Sequence, residues 1–133
     1  MKRKLASAQG TEISLRASPQ DWLRDAFGTP PRFKAFVAEQ GSAVVGMVTC
    51  NEHYYTALAA TTMHVQDLFV EPDYRRRGIA KLLLSRVAAL AMEQRSPLIE
   101  LSVHRKSPAR RFIRPWDLSR SATVSRMWLR WSP

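Results

Sequence analysis

The sequence predicts an α/β protein in which helices flank a mixed sheet. Several short segments alternate apolar and polar residues and are bounded by turn-forming residues, which is typical of strands. One longer segment, from residue 79, repeats apolar residues at three- and four-residue steps, as on one face of an amphipathic helix. A chain of 133 residues buries about two thirds of its unfolded surface and folds without covalent links. We expect residues 1–10 to form a mobile tail and residues 11–133 to form a single domain.

The first elements of the domain are predicted to be a strand and a short helix. Apolar and polar residues alternate over residues 12–17, as in a strand with one buried face. Ser18 then stands before Pro19, which suits the first position of a helix, and Asp21 lies near the positive end of that helix. The glycine and prolines of residues 28–31 end it.

The rest of the chain is predicted to alternate between strands and helices. A hairpin turn is expected at residues 40–42, and residues 56–61 are expected to form a loop. The predicted elements, in order, are strands at 33–39, 43–55 and 63–70, a long helix from Ile79 that ends at Ser96-Pro97, a strand at 98–103, a helix from Ser107 and a strand at 123–131.

The segment between the fourth predicted strand and the long helix is a turn rich in arginine. Pro72 ends the strand, because proline cannot donate to a neighbouring strand. The first N–H groups of the following helix have no carbonyl partner and carry partial positive charge. Gly78 has no side chain to hinder a ligand that approaches the backbone. Residues 75–80 are therefore predicted to bind a phosphate group.

These residues resemble a known family. The turn fits the pattern Gln/Arg, any, any, Gly, any, Gly/Ala of the GNAT superfamily of N-acetyltransferases, and residues 68–74 fit its usual lead-in. Short matches at residues 25–28, 36–39 and 44–47 resemble the diamine and polyamine N-acetyltransferase branch. The resemblance covers roughly residues 12–131. It implies a mixed, mostly antiparallel central sheet flanked by helices, the GNAT acyl-CoA N-acyltransferase fold.

The resemblance also implies acetyl-coenzyme A as the acetyl donor. In the family, the turn binds the pyrophosphate, and the preceding strand splays from its neighbour so that the pantetheine arm lies between them. The amide of Val70 is the expected partner of the thioester oxygen, and Lys106 stands where the family usually has an Asn that contacts the pantetheine. The implied cofactor-binding residues are Leu68, Phe69, Val70, Arg75, Arg76, Arg77, Gly78, Ile79, Ala80 and Lys106.

Transfer of an acetyl group to an amine also requires a base, because an alkyl ammonium has a pKa near ~10.4. Asp67, which matches an acidic position of the polyamine branch, is the first candidate, and Gln66 replaces the acidic residue that commonly precedes it. His64 is the second candidate, since a histidine titrates near pH ~6.5. Side chains alternate along a strand, so Asp67 is expected on the face opposite Gln66 and His64. A polar cluster at residues 52–55 is a candidate lining of the acceptor pocket, and for each of these residues a solvated strand surface is the alternative.

The chain departs from the family pattern after the fifth predicted strand. Ile113 stands where the family often has a Tyr that protonates the departing thiolate, and Asp117 stands where it tends to have Gly. The predicted function is acetyl-CoA-dependent N-acetylation of a small-molecule primary amine. The alternative is an acyl-CoA-binding protein of the same fold that is catalytically weak or inactive.

The net charge of +10 is unevenly distributed. Residues 1–74 carry seven basic and eight acidic residues, and residues 75–133 carry fourteen and three. A basic half suits the phosphates of coenzyme A and also suits nucleic acid. No recognisable nucleic-acid reader motif is present and the aromatic residues are not interleaved as stacking platforms, so nucleic acid is an unlikely partner and ranks a distant third.

Cysteine content and hydropathy indicate a cytoplasmic protein with no membrane association. Cys50 is the only cysteine, so an internal disulfide or cysteine-based metal cluster is excluded, and it is predicted to be a small core residue on a strand. No run of 18 apolar residues or secretory signal is present. A homodimer is a further expectation, from the resemblance and from Trp128 and Trp131 on opposite faces of the last predicted strand.

Overall fold

The computed structural model describes residues 1–9, 15–102, 118–120 and 126–129, the last two segments as backbone. The helices are α1 (Lys2–Gln9), α2 (Pro19–Phe27) and α3 (Ile79–Glu93). The strands are β1 (Lys34–Gln40), β2 (Ala43–Tyr55), β3 (Ala60–Val70), β4 (Ile99–Ser102), β5 (Leu118–Arg120) and β6 (Arg126–Leu129). Among the described residues, no helix has the length and hydrophobicity required to cross a membrane.

The strands form one six-stranded sheet in the order β1-β2-β3-β4-β6-β5. Every neighbouring pair is antiparallel except β3 and β4, which run parallel and are connected through α3. The predicted mixed, mostly antiparallel sheet is therefore confirmed. The parallel pair is important for the candidate active site, because β3 and β4 pair with each other over only three residues each.

The two faces of the sheet are covered by different helices. Helix α3 lies on the first face and packs on a buried core that includes Val48, Cys50, Met63, Val65 and Val87. On the second face, Leu5 of α1 packs against Met47 and Phe69, with Trp22 of α2 beside them. Consecutive residues such as Met47 and Val48 belong to different clusters because side chains alternate along a strand. Cys50 is fully buried, as predicted, and burial raises the pKa of its thiol to about 11.

The N-terminal segment differs from the mobile tail predicted for residues 1–10. Lys2–Gln9 form helix α1, in which Leu5 and Ala6 are buried. Two ion pairs hold the helix on the sheet, from Lys2 to Asp67 and from Lys4 to Glu71. The segment has few apolar residues and no acidic residue in its first turn, so its sequence carries little helical signal. Tertiary contacts with the sheet stabilise it instead.

The other predicted elements are largely present. Ser18 caps α2 in a capping box with Asp21, and a turn with Gly41 at φ +60 joins β1 and β2. Of the strand predicted at residues 12–17, residues 15–17 have no regular structure and the others lie outside the described residues. Strand β3 begins three residues earlier than predicted, and β5 was not predicted. The helix predicted from Ser107 also lies outside the described residues.

Candidate active site

The sheet opens between β3 and β4. Among the described residues, the two strands pair only from Met63 to Val65, opposite Ile99 to Leu101, and β3 continues to Val70 without a partner on that side. The N–H of Glu71 donates to the carbonyl of Val45 on β2, at 2.9 Å. Because backbone groups alternate in direction along a strand, the N–H groups of Val70 and Leu68 point toward the gap.

A turn rigidified by Arg75 follows the open segment. The Nε of Arg75 donates to the carbonyl of Val70 at 3.0 Å, and its guanidinium group lies 5.8 Å from the centre of the Phe69 ring. The Arg77 guanidinium group lies over the ring of Tyr74, at 5.3 Å. Arg75 therefore supports the turn, whereas Arg76 is exposed at φ +59 and is available to a ligand.

The turn ends at Gly78, the residue that precedes α3. Gly78 has φ +81 and ψ −5, in the left-handed region that favours glycine, and offers no side chain to cap the helix. The N–H groups of the first turn are therefore left for another acceptor. A β-carbon added at Gly78 would have nothing within 4 Å, so the space beside these N–H groups is open. This arrangement suits an anion such as a phosphate.

A bulge in β3 changes the predicted orientation of the candidate bases. Thr49 and Cys50 are consecutive on β2, but they pair with Asp67 and Val65, so Gln66 is an extra residue on β3. The extra residue shifts the alternation by one position. Asp67 consequently lies on the second face, together with His64. The expectation that Asp67 and His64 face opposite sides is wrong, because it assumed an uninterrupted strand.

Asp67 is largely buried and already paired within the chain. Its side chain is 11% exposed, and Lys2 Nζ lies 2.5 Å from its Oδ1. The Thr49 hydroxyl donates to its Oδ2 at 2.9 Å. The carboxylate therefore binds an alkyl ammonium group in this structure, and that ammonium group belongs to α1.

His64 lies in a polar cluster on the second face. Its neighbours across the sheet are Asn51 on β2 and Glu100 on β4. Glu100 is buried, with its Oε1 3.2 Å from the Thr62 hydroxyl and 3.8 Å from His53 Nδ1. Asn51 Oδ1 is a buried acceptor with no partner among the described residues. Glu100 and Asn51 are not among the site residues predicted from the sequence. The only available signal for Glu100 was its place between Ile99 and Leu101, which puts it on the face opposite the core.

The polar cluster predicted at residues 52–55 is divided between the two faces. Glu52 accepts a hydrogen bond from Gln94, just past the end of α3, at 2.9 Å. His53 instead lies near Glu100 on the second face. Only part of the predicted cluster therefore lies on the same face as Asp67. Lys106, Ile113 and Asp117 lie outside the described residues.

A parallel strand pair that opens at one end, with a glycine turn and a helix between its two strands, is characteristic of the N-acyltransferase fold. The model of the Acetyltransferase (GNAT) family matches residues 3–114, and the chain therefore belongs to this family. It is 28% identical over 113 residues to the thialysine N-epsilon-acetyltransferase of Sus scrofa, covering 77% of this chain and 65% of that protein. It is 33% identical over 86 residues to an uncharacterized N-acetyltransferase of Archaeoglobus fulgidus, covering 63% of this chain and 58% of that protein. The chain thus spans less than two thirds of these relatives.

Solved structures show the same fold. An aminoglycoside acetyltransferase from an uncultured soil metagenomic sample superimposes with a TM-score of 0.74 at 18% identity. The superposition covers 90% of this chain and 82% of that one. The likeness at this identity extends to the fold alone.

Proposed function

We propose that the protein is an acetyl-CoA-dependent N-acetyltransferase that acts on a small-molecule primary amine. The observation that carries the proposal is the segment of β3 that has no partner on the β4 side among the described residues. Its amide donors point into the gap beside β4, the anion-binding turn lies at one end, and Asp67 lies at the other. In this proposal, donor binding and proton removal would occur along one strand.

The pantetheine arm of acetyl-CoA would lie in the gap between β3 and β4 in the way that an additional strand would. The amides of Leu68 and Val70 lie about 7 Å apart along the strand, a spacing suited to the amide-bearing pantetheine arm. The pyrophosphate would bind the N–H groups that follow Gly78, with Arg76 beside it. The acetyl group must lie near the base, so we assign the thioester oxygen to the amide of Leu68, which adjoins Asp67. Val70, the residue expected from the sequence, would then bind the pantetheine.

The acceptor would bind on the second face, at Asp67. Thr49 donates a hydrogen bond to the carboxylate, and the contact between Asp67 and the ammonium group of Lys2 supports the binding of a primary ammonium group there. The carboxylate takes a proton from the ammonium group, directly or through water, and the neutral amine then attacks the thioester carbon. Asn51 Oδ1 lies on the same face and is a buried acceptor without a partner among the described residues. The relatives named thialysine N-epsilon-acetyltransferases support an amine acceptor.

Asp67→Asn tests the proposal. The variant keeps the size of the side chain and removes the base, so the rate of coenzyme A thiol release with a panel of primary amines should fall by about 10²- to 10⁴-fold near neutral pH. Acetyl-CoA affinity, measured by calorimetry, should remain close to that of the parent. Glu39→Gln removes the same charge from an exposed position on β1 and should leave both quantities unchanged. An unchanged rate in Asp67→Asn would move the base to His64 or to solvent.

The second candidate function is an acyl-CoA-binding protein with little or no catalysis. Two observations favour it: Ile113 cannot donate a proton to the thiolate, and both oxygens of Asp67 are already engaged. Acetyl-CoA binding without thiol release, over the same amine panel, would support this alternative. Cytoplasmic location and a homodimer remain predictions from the sequence.

A further inference from the structure

The ammonium group of Lys2 occupies the position that the proposed function gives to the substrate. Lys2 Nζ lies 2.5 Å from Asp67 Oδ1, and its side chain is 34% exposed. Both partners of the contact between Lys2 and Asp67 are held in place by other residues. Leu5 packs on Met47 and Phe69, which holds α1 on the second face, and Thr49 fixes the other oxygen of Asp67. The lysine is therefore bound at the carboxylate and still accessible to solvent.

We propose that Lys2 is a site of acetylation, modified by the acetyl-transfer site of its own chain. The inference rests on the proposed function, because it uses Asp67 as the base and acetyl-coenzyme A as the donor. It adds a second acceptor, a lysine side chain within the protein, to the small-molecule amine.

The transfer follows the same steps as transfer to a free amine. The Lys2 ammonium gives one proton to the Asp67 carboxylate, which passes it to water. The neutral Nζ attacks the thioester carbon, a C–N bond forms, and the C–S bond breaks. The nitrogen loses a second proton, and the departing thiolate takes up a proton to become the thiol. The products are acetylated Lys2, coenzyme A and one proton released to solvent.

Lys4 provides a matched comparison on the same helix. Its Nζ lies 2.6 Å from Glu71 Oε1, and its side chain is 64% exposed. Glu71 stands four residues beyond Asp67, which corresponds to about 13 Å along an extended chain. This places Lys4 at the phosphate end of the gap, away from the acetyl group. Uncatalysed acetylation would favour the more exposed lysine, whereas transfer within the site should favour Lys2.

The experiment incubates the full chain with acetyl-coenzyme A at pH 7.5 in the absence of any amine. Mass spectrometry of the intact protein gives the number of acetyl groups, and fragmentation of the Glu-C peptide that ends at Glu12 separates Met1, Lys2 and Lys4. We expect one acetyl group on Lys2 and at least tenfold less on Lys4. The first-order rate constant should not change over a tenfold dilution of the protein. Lys2→Arg should keep the ion pair and show no acetylation in this peptide, and Lys4→Arg should behave as the parent.

Several results would overturn the inference. Equal modification of Lys2 and Lys4 would indicate uncatalysed chemistry, and a rate constant that rises with protein concentration would indicate transfer between chains. If Lys2 stays unmodified while the same protein releases thiol with a small amine, this inference fails and the proposed function stands. If the protein neither binds acetyl-coenzyme A nor releases thiol, both fail.

Discussion

The contribution of the turn can be measured by introducing a charge at Gly78. Gly78→Asp places a carboxylate beside the N–H groups of α3, in a space where an added β-carbon meets nothing within 4 Å. For a phosphate about 5 Å away, Coulomb repulsion is about 1 kcal/mol at the dielectric constant of water and about 3 kcal/mol at an effective value of ~20. Acetyl-CoA affinity should therefore fall by about 5- to 150-fold. The decrease should be smaller at high salt, because salt screens exposed charges.

Gly78→Asn is the matched control for this prediction. Asn and Asp have nearly the same size, and both tolerate the left-handed backbone conformation better than most residues. The two variants therefore share the conformational cost and differ in charge. An acidic residue at the start of a helix also interacts favourably with the helix dipole, so the Asp variant should be at least as resistant to urea as the Asn variant. Calorimetry should show near-parental acetyl-CoA affinity for Gly78→Asn and the predicted decrease in affinity for Gly78→Asp. Equal affinities would refute the assignment of the phosphate to this turn.

Three further predictions concern other parts of the chain. Ser18→Ala removes the acceptor for the Asp21 N–H, at 3.1 Å, and should lower the free energy of unfolding in urea by about 1 kcal/mol. Hydrogen bonds from the backbone and side chain of Ser18 lower the pKa of Asp21, so the contribution of this cap should be complete at neutral pH and lost as the pH falls through that lowered pKa. Cys50 is fully buried and burial raises the pKa of its thiol to about 11, so alkylation at pH 8 should require urea, and labelling of the native protein at the rate of the unfolded chain would contradict its burial. Ile113→Tyr should raise thiol release if a general acid is missing, and no gain over an active parent would show that another donor serves.

The sequence predicted the sheet well because its strands are governed by local patterns. The apolar run in β2, the alternation in β4 and the turn at Gly41 act over a few residues, so they are visible without tertiary information. The cap of α2 is equally local. The turn before α3 was predicted from equally local residues, and Gly78 has a positive φ there that favours glycine.

Features that depend on distant contacts were missed. Helix α1 is stabilised by Leu5 and by ion pairs to residues more than sixty positions away, which no local pattern reveals. The bulge at Gln66 arises from the pairing of β3 with β2, and it reversed the predicted orientation of Asp67 relative to His64. Glu100 was not predicted as a site residue, because its burial depends on the strands that neighbour β4 in the sheet. Local elements were thus easier to predict than the relative positions of residues that are distant in sequence.

The short pairing between β3 and β4 has a consequence for the thermal stability of the protein. The backbone donors that line the gap have no strand partner among the described residues, so in the absence of ligand they are left to water. A donor arm that bonds to them joins the sheet as a strand and binds the native state in preference to the unfolded chain. At a ligand concentration one hundred times Kd, such binding stabilises the native state by about 2.7 kcal/mol. The midpoint of thermal unfolding should therefore report occupancy of the gap even in variants that transfer no acetyl group.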